Sequence, residues 1–205
     1  KLGTINFMGV RNFAFALTML LTLIALGSWF FKGLNFGLDF TGGSQIELSY
    51  DKPADLSQVR VQLAAAGYAD AVVQNFGATT DVVVRLQGDD PQLGNKVASV
   101  LQAASGDNSL QVKKVEYVGP AVGEELRDQG GLGMLLALGG ILIYVAFRFQ
   151  WKFAVGAIAS LVHDVVVTMG ILSFFQITFD LTVLAAVLAI IGYSLNDTIV
   201  VFDRV

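Results

Sequence analysis

Cysteine is absent from all 205 residues, so the chain can build neither a disulfide framework nor a thiolate metal site. Histidine occurs once, at His163, which removes a histidine-rich metal centre. Charge is scarce: 15% of residues are Asp, Glu, Lys or Arg, against about 25% in a soluble globular domain. A net charge of −4 argues against nucleic acid as a partner. No G-x-x-x-x-G-K loop is present to cradle ATP phosphates. No serine stands with His163 and Asp164 in a recognisable nucleophile motif. We therefore expect no enzymatic activity, no metal and no cofactor.

What is abundant is apolar sequence: 54% of residues are hydrophobic and the mean hydropathy is +0.63. Residues 13–31 run for nineteen positions without a charge, between Arg11 and Lys32, with Trp29 placed for an interfacial belt. Residues 1–12 precede this first span, and the run is too long for a signal-peptide core. A helix over 119–149 opens on Gly119-Pro120, carries Glu124, Glu125 and Asp128 near its start, and enters the membrane near Gly130. Its glycines, from Gly131 to Gly140, permit close helix approach. A third span covers 153–175 and holds His163-Asp164 at its middle. Gly156, Ser160, Asp164 and Thr168 recur every fourth residue there, a stripe suited to helix packing.

The fourth span, 181–204, is the most informative. Residues 181–196 carry no charge; then comes Asp197, followed by five more uncharged residues. A carboxylate inside a span costs about 3 kcal/mol on insertion scales, and such residues face other helices or a wet cavity. Tyr193, Asn196 and Asp197 share one helix face, with Ser194 and Thr198 flanking it. That face is where neighbouring helices are expected. Oil disfavours the charged carboxylate, so Asp197 and Asp164, with His163, are the proton-relay candidates, and Tyr193, Asn196 and Thr198 their supporting polar face. Asp203-Arg204 reads as an interfacial anchor.

Between the first two long helices lies a different composition. Residues 32–43 form a glycine-rich connector in which no helix is expected; Gly37, Asp39, Gly42 and Gly43 are its candidate hinge or close-contact positions. Residues 44–118 read as a small domain. Strands are expected over 44–50, 71–76, 81–87 and 110–118, a turn over 77–80, and helices over 55–66 (with Asp55 as N-cap) and 91–104. The order β-α-β-β-α-β is that of a ferredoxin-like fold. Arg11, Arg148, Lys152 and Arg204 fall on one side of a four-span topology, while the 176–180 turn carries no basic residue. The positive-inside rule makes the basic side cytoplasmic and the domain extracytoplasmic. The fold class expected is a multi-pass α-helical membrane protein with an external α+β ferredoxin-like domain.

Four stretches carry a resemblance: GLDFTGG (37–43), VGPAVGEEL (118–126), HD (163–164) and GYSLNDTIVVFDR (192–204). Together they resemble the SecF family of bacterial protein-export translocase subunits, which belongs with the resistance-nodulation-division transporters. The likeness covers essentially the whole chain. It implies six spans, so this chain, opening on Lys1, is expected to be a segment of a longer protein lacking the last two. It implies an inner-membrane location, with SecD, the SecYEG channel, other Sec accessory proteins and an unfolded secretory polypeptide as partners. It implies that the proton-motive force drives movement or release of secreted chains on the periplasmic side. Asp197 matches the family's fourth-span aspartate of the proton path, whose basic counterpart lies in a later span. One charge crossing 100 mV supplies about 2.3 kcal/mol, enough to shift a two-state domain orientation nearly fifty-fold. Two other readings stay open: a non-transporting scaffold whose external domain binds a partner, and a proton-coupled small-molecule exporter.

Overall fold

The protein is described from a computed structural model over residues 7–106 and 109–204. In chain order, a 3-10 turn (Phe7–Val10) leads into α1 (Arg11–Lys32), then β1 (Asn35–Phe36), α2 (Leu38–Thr41), β2 (Gly43–Tyr50), α3 (Leu56–Ala65), β3 (Val72–Phe76), β4 (Ala78–Leu86), α4 (Leu93–Ala104), β5 (Leu110–Val118), α5 (Pro120–Arg148), α6 (Trp151–Phe174), β6 (Thr178–Phe179) and α7 (Leu181–Phe202). The chain forms two compact bodies: one from the chain up to Asn35 together with Gly130 onward, the other from Phe36–Gln129.

The Phe36–Gln129 body is a four-stranded antiparallel sheet in the order β3-β4-β2-β5. Alternation along β2 and β4 sends Ile46, Leu48, Val82 and Val84 to one face, where they meet Val59 and Leu63 of α3 and Val97 and Leu101 of α4. Of these eight residues, all but Val59 are fully buried. Burying each such side chain stabilises by roughly 1.5–3 kcal/mol. Asp55 caps α3, its carboxylate accepting from the Ser57 amide at 2.8 Å.

Two local features depart from the expected ones. The connector does contain a helical turn, α2, because its glycines bound the turn instead of preventing it. The Gly37 carbonyl accepts from the amides of Phe40 and Thr41, and the Gly42 amide bonds back to Leu38. The expected 77–80 turn narrows to Gly77, at φ +78°, and β4 starts at Ala78.

One polar cluster ties three neighbouring strands. β5 carries a bulge opposite Glu47 and Leu48 of β2, and Lys113 is the extra residue. Its ammonium lies 2.9 Å from Asp81 Oδ2 on β4, while Ser49 of β2 donates to Asp81 Oδ1 at 2.7 Å. The Ser49 hydroxyl first, and Lys113 second, hold the Asp81 carboxyl below its ordinary range. A lowered native value means stability that is present above the unfolded carboxyl's range and lost as pH falls through the native one. Lys113→Met should therefore be less stable than the parent near neutral pH, with the difference shrinking between about pH 5 and about pH 2. Acid titrations of both proteins check this; a pH-independent difference would remove Asp81 as its source.

The other body is helical. Among the described residues, four helices are long and apolar enough to cross a membrane: Met8–Lys32, Pro120–Arg148, Trp151–Phe174 and Leu181–Phe202. α1 and α6 run in the same direction and pack through small residues. A Cβ added at Gly170 would overlap that of Ala25 and lie 2.5 Å from its Cα. One turn on, buried Ser28 donates to Ser173 at 3.1 Å, and Ser173 donates to the Gly33 carbonyl at 2.7 Å. Lys32 closes the end of this seam, donating to the Phe174 carbonyl at 3.1 Å with its ammonium 4.7 Å from the Phe174 ring. Beyond it Asn35 Nδ2 donates to the Gln176 carbonyl at 2.8 Å.

α6 and α7 pack antiparallel, joined by a short turn in which Asp180 caps α7 by accepting from the Val183 amide at 2.8 Å. The end of α5 meets both. Val145, Ala154 and Ala157 are buried together with Phe149, Leu195 and Phe202 around them. Arg148 grips Asp203 through both oxygens, at 2.8 and 3.0 Å. Asp203 is thus a partner for α5, beyond a simple interfacial anchor. The glycines expected to bring α5 close to another helix meet nothing: a Cβ at Gly131, Gly133, Gly139 or Gly140 would have no described atom within 4 Å.

Candidate functional site

The polar residues of the helical body divide between two faces of α7. Leu184, Val187 and Ile191 form the buried stripe of this helix. Ser194 continues it at i+3, with Leu195 half-buried beside it. Ser194 therefore points at α6, where its hydroxyl donates to Asp164 Oδ2 in a short hydrogen bond. Asp164 Oδ1 lies 3.1 Å from Nδ1 of His163. Sequence neighbours on a helix point about 100° apart, so the ring must lean along the helix surface to reach its neighbour. The result is a chain of three polar groups, His163–Asp164–Ser194, linking α6 to α7. Among the described residues, Nε2 of His163 is buried without a hydrogen-bond partner.

Ser194 is the member that pattern reading underweighted, as a flank of the Asp197 face. The signal was available: it is the polar residue that falls on the apolar stripe itself. The four-residue stripe of α6 is used only in part. Asp164 and Thr168 are half-buried, whereas Gly156 and Ser160 are exposed. Ala154 and Ala157 pack with Val145 of α5 and with Leu195 and Phe202 of α7, and a Cβ at Gly156 would stand 3.7 Å from the Phe202 ring.

Tyr193, Asn196 and Asp197 occupy the other face. Tyr193 is 76% exposed, and Asn196 and Asp197 are exposed beside it. The Asp197 carboxylate makes no hydrogen bond or ion pair among the described residues. Thr198 does not extend this face as a donor; its hydroxyl is turned back to the Ser194 carbonyl at 3.0 Å. The structure thus brings His163 and Asp164 together, and separates them from a second acid whose face no described helix covers.

The glycine positions lie in the other body. Gly42 and Gly43 have φ of +66° and +104°, a region that costs an L-residue about 1–2 kcal/mol. They are also pressed from both sides. A Cβ at Gly42 would lie 2.7 Å from Pro120 Cα, and one at Gly43 would overlap the Leu86 carbonyl oxygen. Gly123 completes the contact from α5, where a Cβ would come 2.7 Å from the Gly42 amide nitrogen. This is a tight joint between the start of β2, the end of β4 and the first turn of α5. Gly37 is buried just before α2, and Asp39 is half-buried in its first turn.

A family model described as "SecD/SecF GG Motif" matches residues 27–54, which include Gly42 and Gly43. Another, "Protein export membrane protein SecD/SecF, C-terminal", matches residues 96–205 and so contains the polar groups of α6 and α7. The chain is 73% identical over 205 residues to a protein translocase subunit SecF of Pseudomonas aeruginosa, covering 100% of this chain and 67% of that one. It is 46% identical to the Vibrio alginolyticus SecF subunit, covering 98% of this chain and 65% of the relative. The chain thus spans about two thirds of the length of these curated relatives. Among solved structures it is similar to SecDF of Thermus thermophilus, described as a translocon-associated membrane protein, with a TM-score of 0.83 and 37% identity. That match covers 98% of this chain and 27% of the other. A SecDF structure in a super-membrane-facing form matches at a TM-score of 0.59 and 35% identity, covering 98% of this chain and 28% of the other. These family matches and relatives together cover the chain: it is a membrane protein of the SecD/SecF protein-export family.

Proposed function

We propose that the chain is the larger part of an accessory subunit of the bacterial Sec protein-export translocase. In this reading it sits in the inner membrane beside SecD and the SecYEG channel, has no enzymatic activity of its own, and uses the proton-motive force to move or release secreted chains on the periplasmic side. Asp197 is the coupling acid. The observation that carries this is the uncovered polar face of α7: a carboxylate with Tyr193 and Asn196 beside it, on a helix apolar enough to cross a membrane, with no partner in the chain described. An uncompensated acid in that place is expensive. It is sustained when a further helix supplies a basic partner or a water-filled path, and the relatives are longer than this chain.

The Phe36–Gln129 body is, in this proposal, a ferredoxin-like domain on the periplasmic side that handles the unfolded client. Its β-α-β-β-α-β order and the sheet order β3-β4-β2-β5 support the fold. The placement of Arg148, Lys152 and Arg204 near helix ends supports the orientation.

Asp197→Asn tests the role of the acid. Introduced into the whole protein, it should leave assembly with SecD intact and abolish the proton-dependent part of export. If export stays coupled while assembly or stability falls, Asp197 is a packing group and the scaffold reading replaces this one.

A further inference from the structure

The turn between α6 and α7 keeps a side chain where glycine would sit without strain. α6 ends in a Schellman motif: the Ile177 amide bonds back to the Leu172 carbonyl at 3.0 Å, and the Gln176 amide to the Ser173 carbonyl at 3.2 Å. The left-handed position of this motif is usually glycine and sometimes asparagine. Here it is Gln176, at φ +53°, the one residue other than glycine with a positive φ among the described residues. Gln176 is exposed, so burial of its side chain does not offset the strain. Strain that packing does not explain points to what the polar atoms hold.

They hold the root of the glycine-rich connector. Gln176 Nε2 donates to the Ser173 carbonyl at 2.7 Å and to the Gly33 carbonyl at 3.4 Å. The Gly33 carbonyl also accepts from the Ser173 hydroxyl at 2.7 Å, so both of its lone pairs are used. Two residues on, Asn35 Nδ2 donates to the carbonyl of Gln176 itself at 2.8 Å. Gly33, at φ +67°, turns the chain off the end of α1, and residues 33 and 35 are then both tied to the one turn. Asn35 is the last residue of the helical body before Phe36 begins the other one. On its far side the same turn is fixed to α7. Asp180 caps that helix by accepting from the Val183 amide at 2.8 Å, and α7 carries Asp197.

We propose that Gln176 is a positioning residue for energy coupling: its side chain latches the α6–α7 turn to Gly33 and Asn35, so that a displacement of α7 is delivered to the chain entering the Phe36–Gln129 body. The inference rests on the coupling role given to Asp197 in the proposed function. The left-handed glutamine follows from it. Glycine at this position would relax the backbone, cap α6 equally well and leave the connector root without its amide donor.

The test pairs hydrogen exchange with translocation, both on the whole protein assembled with SecD. In Gln176→Gly, residues 33–36 should exchange about tenfold faster than in the parent, although the turn itself is relieved of strain. In vesicles holding the complete assembly, the ratio of translocation rates with and without a proton gradient should fall by about twofold or more at equal assembly. Asn35→Ala removes the bond from the other side, leaves Gln176 in place, and should move both readouts in the same direction. If Gln176 only caps α6, Gln176→Gly will exchange like the parent or more slowly over 33–36, and the proposal is overturned. It is overturned too by faster exchange with an unchanged rate ratio, where the parent responds to the gradient. A parent assembly indifferent to the gradient would instead overturn the coupling role of Asp197, and this proposal with it.

Discussion

Replacing Gly43 by alanine is expected to destabilise the Phe36–Gln129 body by about 2–5 kcal/mol, a large part of what a domain of this size has to lose. Two costs add. Left-handed backbone charges a Cβ about 1–2 kcal/mol, and forcing an atom into packed backbone costs roughly 1–3 kcal/mol more. Both apply here, since φ is +104° and the new Cβ would overlap the Leu86 carbonyl oxygen. The neighbour is main chain of β4, so no side chain can rotate away. Hydrogen exchange of the full protein reads the effect, with amide protection in β2 and β4 falling by roughly 1.5 to 3.5 orders of magnitude. Gly77→Ala separates the two costs, because Gly77 has φ +78° with nothing within 4 Å of a Cβ. It should show only the smaller loss; equal effects at both sites would mean that the joint is looser than described.

Enlarging Gly170 to leucine should split α1 from α6. No rotamer of leucine avoids Ala25, whose Cα would stand 2.5 Å from the new Cβ, so the helices must move apart. Hydrogen bonds between spans average only about 0.6 kcal/mol, so Ser28–Ser173 cannot hold the pair against that displacement. The absence of cysteine gives a clean readout. Ser28→Cys with Ser173→Cys replaces hydroxyls 3.1 Å apart and should cross-link on mild oxidation; adding Gly170→Leu should reduce the yield by about tenfold or more. Unchanged cross-linking would show that the seam does not depend on close approach at Gly170.

What could be read from the sequence follows from which physical signals are local. Alternation placed the strand over 110–118, and β5 spans Leu110–Val118. Asp55 announced the cap of α3. The single turn of α2 escaped because a glycine-rich stretch gives neither period, while its hydrogen bonds to Gly37 depend on backbone that only packing fixes. Inside the membrane the limitation is deeper. Lipid-facing and helix-facing surfaces are both apolar, so hydrophobic periodicity does not say which face meets which helix. The pairing of Ala25 with Gly170 could not be read from either helix alone. For the same reason the polar trio of α7 was visible as a face while its lack of a neighbour among the described residues was not. His163 and Asp164 were visible as residues, but the link through Ser194 needed α6 and α7 set side by side.

The claim on which the functional account turns is that Asp197 exchanges a proton as part of the work cycle. Its most direct test is polypeptide translocation in membrane vesicles holding the complete assembly, measured with and without an imposed proton gradient. With the parent protein the gradient should accelerate translocation, and with Asp197→Asn, assembled to the same level, the acceleration should vanish while the ATP-driven rate remains. An Asp197→Asn assembly that still speeds up when the gradient is applied would contradict the account.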